Sequence, residues 1–254
     1  MIKLFLSLVL ALTLLPMRAA DDKTMQRIAA IYQSVASPSE LRGNTELISL
    51  LTEVLQRADQ TSLTALNTYG KYIYANGMLA VVEQSIAKMP VALKDTEEGK
   101  NVLGNYYAIR PPKVGEKVPD FTLATPDGKQ VRLYDFIKGK KCVIVDFWAS
   151  WCSWCRKESP NIDAVWKQYK SQDFDVISVS FDDKRERWTR AIAGDGVQWT
   201  QVSDLLGTKQ SSVYKWYGLH GIPAIILVAG DGTLLAEGLR GDAIRNNVEK
   251  HLAK

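Results

Sequence analysis

The run Trp151-Cys152-Ser153-Trp154-Cys155 follows an apolar stretch, Val143-Ile144-Val145-Asp146-Phe147-Trp148. Two thiols three residues apart at a helix start share one face, with Cβ atoms roughly 5–6 Å apart. A disulfide takes Cα atoms about 4.4–6.8 Å apart, so this pair can close and open with little backbone movement. The unpaired N–H groups of a first helical turn also stabilise a thiolate. These residue types at this spacing point to thiol–disulfide exchange. Cys152, nearest the helix start and where solvent can reach, attacks a substrate disulfide, and Cys155, one turn deeper and less exposed, resolves the mixed disulfide. A static disulfide and a zinc site are the alternatives. Zinc usually takes four ligands, and only Cys142 and two histidines remain to complete a set, so no metal is expected.

Asp146 stands six residues before Cys152, inside the apolar stretch. Burial there would raise its pKa and suit it to exchange protons near neutral pH. The bland alternative is a polar residue satisfied structurally. Cys142, two alternations before Asp146, is expected inside as a small apolar residue. Trp154 offers either an exposed apolar contact for a partner or local packing over the disulfide. His220 abuts a proline loop, where a proton role competes with an ordinary solvated histidine.

The elements that must position these groups alternate between strand and helix. Strands are expected at 121–123, 131–133, 142–148, 176–181, 224–228 and 233–237, with helices at 152–171, 185–193 and 243–252. Gly230-Asp231-Gly232 joins the last two strands as a hairpin. The pattern implies a central sheet covered by helices. Residues 21–110 read differently: amphipathic helices are expected at 24–36, 46–57, 61–74, 78–88 and 96–107. Pro90 stops the fourth of these, and Pro111-Pro112 marks a boundary between a helical domain at 21–110 and an α/β domain at 111–254.

The redox residues carry a family likeness. Val145-Asp146-Phe147-Trp148-Ala149 with Trp151, Cys152 and Cys155 resembles the thioredoxin superfamily. Gly221-Ile222-Pro223 is similar to its cis-proline loop, and Pro160 to the proline of its active-site helix. Val118-Pro119-Asp120-Phe121-Thr122-Leu123 and the turn Pro126-Asp127-Gly128-Lys129 resemble the opening of TlpA/ResA-like exported thiol–disulfide oxidoreductases. The likeness covers residues 111–254 and implies a thioredoxin fold, a central mixed sheet flanked by helices, preceded by a small all-helical domain.

It also implies roles. Asp146 matches the buried aspartate that accepts the proton of the resolving thiol, here Cys155, although strand 176–181 holds no lysine to partner it. Glu158 matches a glutamate that ResA-like proteins hold near the cysteines, where it would raise thiol pKa values. Cis-Pro223 and the backbone of Ile222 would pair with an extended substrate, and Trp151 and Trp154 complete the substrate-binding set. Ser153-Trp154 replaces the more usual Gly-Pro between the cysteines, so the family's potential does not carry over. Peroxiredoxins, a related class, carry a proline and a threonine where Val145 and Ala149 stand here.

Lys3, the apolar run 4–15 and the small residues ending at Ala20 read as a signal peptide, residues 1–20. The run is short for a membrane span, so no stable insertion is expected after cleavage. No cysteine follows the run, which argues against a lipid anchor. Export suits disulfide chemistry and places the chain in a bacterial periplasm or another extracytoplasmic space. Losing Lys3 and Arg18 takes the formal charge from +4 to +2, which gives no reason to expect nucleic acid as a partner. The sequence thus describes an exported thiol–disulfide oxidoreductase that reduces protein disulfides with its own dithiol and no cofactor. A membrane thiol–disulfide donor would resupply its electrons. A redox-gated binding protein built on the helical domain and a thiol peroxidase are the competing readings. The helical domain itself reads as a platform or dimerisation element, or as a partner-binding module.

Overall fold

A computed structural model describes residues 22–35 and 37–253 of the chain. The expected signal peptide, residues 1–20, lies outside the described residues. The chain divides into two compact units, with the division between Asn105 and Tyr106.

The first unit is helical: α1 (Lys23–Gln33), α2 (Thr45–Gln56), α3 (Gln60–Ala75), α4 (Leu79–Lys88), α5 (Val91–Lys94) and α6 (Glu97–Ile109), which runs past the division. Side-chain caps set its starts. Asp22 accepts the Met25 N–H, Asn44 accepts that of Leu47, and Asp59 forms a reciprocal capping box with Ser62. The buried faces carry Met25, Ile28, Leu47, Leu51, Leu63 and Ile73, as the apolar spacing requires. Two details differ from the sequence-based expectation. α1 ends at Gln33, before 36, and Pro90 starts the extra short helix α5 as its N-cap as well as ending the helix before it. The ring's fixed φ suits a helix entry as well as an exit.

The second unit is the thioredoxin fold. Its strands are β1 (Thr122–Ala124), β2 (Gln130–Arg132), β3 (Cys142–Trp148), β4 (Phe174–Ser180), β5 (Thr200–Ser203), β6 (Ala224–Ala229) and β7 (Leu234–Ala236). They form one seven-stranded sheet in the order β2-β1-β5-β4-β3-β6-β7. β3 pairs parallel with β4 and antiparallel with β6, so both its edges are satisfied. All seven of its residues are buried, which its near-continuous apolar sequence predicts for a strand covered on both faces. The helices are α7 (Leu133–Ile137), α8 (Ser153–Tyr169), α9 (Arg185–Asp195), α10 (Gly207–Gln210), α11 (Ser212–Trp216) and α12 (Asp242–Leu252). Pro160 lies inside α8.

β5 and the short helices α7, α10 and α11 are absent from the sequence-based expectation. Thr-Gln-Val-Ser is too short and polar to announce a buried strand. It holds because β4 pairs with it along Ile177–Ser180 and because its polar groups are used inside. Gln201 accepts the indole N–H of Trp148 at 3.1 Å, and Ser203 donates to the Ser180 carbonyl at 2.8 Å.

Cys142 is fully enclosed at the start of β3, in a cluster with Ile144, Ile162, Phe174 and Ile225. Burial pushes its thiol up to about 11. The two other cysteines belong to a different cluster, with Trp148, Ala149 and Trp188. Cys142→Ala is therefore expected to leave thiol–disulfide exchange turnover intact and to lower stability by about 1 kcal/mol. Denaturant midpoints and turnover of the purified variant check this, and loss of turnover in a folded variant would contradict it.

Candidate functional site

The site starts where β3 ends. Three residues, Ala149 to Trp151, separate the last residue of β3, Trp148, from Cys152, the N-cap of α8, whose backbone is extended. Its sulfur accepts the Cys155 backbone N–H at 3.1 Å. Cys152 and Cys155 are joined as a disulfide with Cα atoms 5.3 Å apart. The expected difference in exposure between them is nearly absent: Cys152 is 7% exposed and Cys155 5%. What separates the two sulfurs is their neighbours.

The loop carrying Cys152 is tied to the end of β4 by a residue the sequence reasoning missed. Asp182, fully buried, accepts the Ser150 N–H at 2.9 Å, the Ser150 hydroxyl at 2.5 Å and the Ser180 hydroxyl at 2.7 Å. The sequence signal was present but weak: an aspartate directly after an apolar strand, Phe181-Asp182, in a fold whose chemistry sits at strand ends.

Asp146 is buried in the middle of the sheet, and its pKa is raised to about 7. Enclosure is the main cause, opposed by the Ser178 hydroxyl and the charge of Arg240 and reinforced by the charge of Glu158. The register places Ser178 opposite Asp146 across the β3–β4 ladder. Ser178 donates to Asp146 Oδ2 at 2.8 Å, and the Trp199 indole N–H donates to the Ser178 oxygen at 2.8 Å. A hydroxyl chain thus occupies the position where a lysine was missed in the sequence. Asp146 and Cys155 share the wall of a cavity of about 10 Å³, room for one water.

The Glu158 carboxylate accepts the Gly241 N–H and an Asn161 amide N–H, both at 3.0 Å. It ties α8 to the start of α12 while contributing its charge at Asp146. The Ile222–Pro223 peptide bond is cis. Ile222 packs, half-buried, against the cluster that holds both cysteines. Arg240 donates to the Pro223 carbonyl and so fixes the loop. Trp151 and Trp154 are exposed, 58% and 69%, and Lys157 Nζ lies 4.3 Å from the Trp154 ring centroid. That is an open apolar surface beside the disulfide rather than a cover over it. His220 is exposed and borders a groove of about 300 Å³ with Pro223 and Arg240. Among the described residues no group of three or more His, Cys, Asp or Glu could hold a metal ion, and no helix is long and apolar enough to cross a membrane.

The chain is similar to known proteins. Residues 114–236 match the AhpC/TSA family. The chain is 27% identical over 142 residues to the thiol-disulfide oxidoreductase ResA of Bacillus thuringiensis, covering 56% of this chain and 78% of that one. The thioredoxin domain of a thiol-disulfide oxidoreductase from Bacteroides vulgatus is 38% identical, with a TM-score of 0.52, over 55% of this chain and 98% of that one. A thiol:disulfide interchange protein from a Bacteroides species is also 38% identical, with a TM-score of 0.51, over 56% of this chain and 92% of that one.

The buried carboxylate has a measurable cost. Between about pH 4 and pH 7 the folded protein keeps a proton on Asp146 that the unfolded chain has released. Its contribution therefore becomes increasingly destabilising as pH rises through that window, reaching about 4 kcal/mol above it. Asp146→Asn should be more stable than the wild type by roughly 2–4 kcal/mol at pH 8, with the gap closing toward pH 4. Urea unfolding of both proteins with the disulfide intact measures this, and a gap independent of pH would show that Asp146 is not the titrating group.

Proposed function

The chain belongs to the TlpA/ResA-like thiol-disulfide oxidoreductases of the thioredoxin superfamily, and on that premise we propose that it is an exported reductase of protein disulfides. The observation that carries this reading is the site's asymmetry. Cys152 caps a helix beside the cis-proline loop, while Cys155 shares a water-sized cavity with a carboxylate poised near neutrality.

In the reduced enzyme the Cys152 thiolate is stabilised by the first-turn N–H groups of α8. It attacks one sulfur of a substrate disulfide whose backbone lies along Ile222 and Pro223. A Cys152–substrate bond forms, and the first substrate thiolate leaves. Cys155 then gives its proton to Asp146, directly or through one water, and its thiolate attacks the Cys152 sulfur. The Cys152–Cys155 bond forms, and the second substrate sulfur leaves as a thiolate that solvent protonates. The substrate disulfide gains two electrons and the enzyme dithiol loses them. Glu158 adds negative charge near Asp146, which raises its proton affinity and makes the ionised carboxylate a stronger base for Cys155. Trp151 and Trp154 offer the substrate apolar contact.

Export to a periplasmic or other extracytoplasmic space suits a chemistry that meets stable disulfides there. A membrane thiol–disulfide donor would return the dithiol to its reduced state. Peroxide reduction is disfavoured, since Val145 and Ala149 stand where peroxiredoxins carry proline and threonine.

Two measurements test this mechanism. Alkylation of the reduced protein near pH 7 should modify Cys152 before Cys155 and Cys142, and Cys155→Ala should accumulate mixed disulfides through Cys152. Faster labelling of Cys155 would reverse the assignment. In single-turnover kinetics, Asp146→Asn should slow resolution of the mixed disulfide by about tenfold or more while changing its formation little. Equal effects on both steps would remove Asp146 from the mechanism.

A further inference from the structure

We propose that the ion pair between Arg156 and Asp195 is the outer door of a proton route that joins Asp146 and Cys155 to solvent on the side of the fold away from the substrate loop. The inference rests on the reading of Asp146 as the proton acceptor for Cys155.

Asp146 can accept the Cys155 proton only when it is ionised, so a proton it already holds must first reach solvent. In the mixed disulfide the substrate is bonded to Cys152 and lies along Ile222 and Pro223, so that face is covered. The cavity that touches Asp146 and Cys155 has neither Cys152, Ile222 nor Pro223 in its wall. Its wall continues instead through Arg156, Ser159, Asp195, Val197 and Trp199. The same five residues line a second, larger pocket of about 210 Å³, which adds Pro160 and Asp163. The inner and outer spaces therefore adjoin, between α8 and the segment from Asp195 to Trp199.

Arg156 and Asp195 belong to both walls. Arg156 directly follows Cys155 on α8, and Asp195 is the last residue of α9. The guanidinium grips the carboxylate through two nitrogens: Nε donates to Oδ2 at 2.8 Å and to Oδ1 at 3.2 Å, and Nη2 donates to Oδ1. Asp195 needs that partner. A carboxylate at a helix C-terminus faces the negative end of the dipole, and this side chain is only 16% exposed against 43% for Arg156. The pair thus has one inner and one outer member, as a door between a dry and a wet space requires. Swinging the Arg156 side chain outward opens the route without moving backbone.

The route is tested by plugging it from either wall. Ser159→Leu acts from α8 and Val197→Phe from the facing segment; the mixed disulfide is formed at about pH 5.5, where Asp146 holds a proton, and its resolution is followed after a jump to pH 8. Each plug should slow resolution after the jump by about tenfold while formation stays within about twofold of wild type, because Asp146 must lose its proton to solvent before it can accept that of Cys155. Two plugs guard against one that fails to fold, which thermal unfolding would reveal. Folded variants with normal resolution in both cases overturn the route. Asp146→Asn, measured alongside, separates the two ideas: if it slows resolution and the plugs do not, only the route fails, and if it resolves normally, the role of Asp146 fails. Asp195→Asn unlatches the door and should resolve at least as fast as wild type. A fall equal to that of the plugs would mean the pair carries the proton itself, which would overturn its role as a door.

Discussion

The site depends on one carboxylate that the sheet encloses with no ion-pair contact among the described residues, only the more distant charge of Arg240. Asp146 sits in the central strand, and its one hydrogen bond among the described residues comes from the Ser178 hydroxyl. Burying an unpaired charge costs several kcal/mol, and a carboxylate escapes that cost by holding a proton. Its pKa near 7 records this compromise. The strand tolerates the compromise because it is over-determined: β3 is laddered to β4 along seven residues and to β6 along six. An edge strand would admit water and lose the shift.

Asp182 shows what the same residue type does under the opposite constraint. It is as deeply buried, but three donors converge on it, two of them from Ser150. A carboxylate satisfied this fully works as a fixed post that holds the loop before Cys152. One with a single donor and a water-sized space beside it is free to exchange its proton. The number of hydrogen bonds, rather than burial, divides the roles. A lysine opposite Asp146 would have erased the distinction by pairing with it. Ser178 and Trp199 instead supply a neutral donor chain.

Sequence patterns carried the parts of this site that are local. β3 and the dithiol at a helix start are contiguous motifs that rest on spacing rules needing no tertiary information, and the X-Pro step at Pro223 was legible by resemblance. The residues that escaped notice act across the fold. β5 is four residues long and three of them are polar, and only its neighbours make it a strand. Asp182 acquires meaning from Ser150, 32 positions earlier, and Asp195 from Arg156, 39 positions earlier. Glu158 was legible as a charge near the cysteines by resemblance, but its bond to the Gly241 N–H, which fixes where that charge sits, depends on a helix start 83 residues downstream. Periodicity reports which face of an element is buried and is silent on which polar groups meet there.

The two sulfurs were expected to differ in exposure, and that they scarcely do so sharpens the chemistry. In the disulfide form the two residues are buried to nearly the same extent, so exposure does not distinguish them. What remains is position. Cys152 occupies the N-cap, where helix N–H groups converge and where the sulfur already accepts one of them. Cys155 lies one turn in, where its neighbour is a cavity ending on Asp146. In the proposed mechanism fixed dipoles favour the Cys152 thiolate, and Asp146 takes the proton of Cys155. A single helix start therefore gives two thiols different surroundings, and the proposed order of attack follows from that difference.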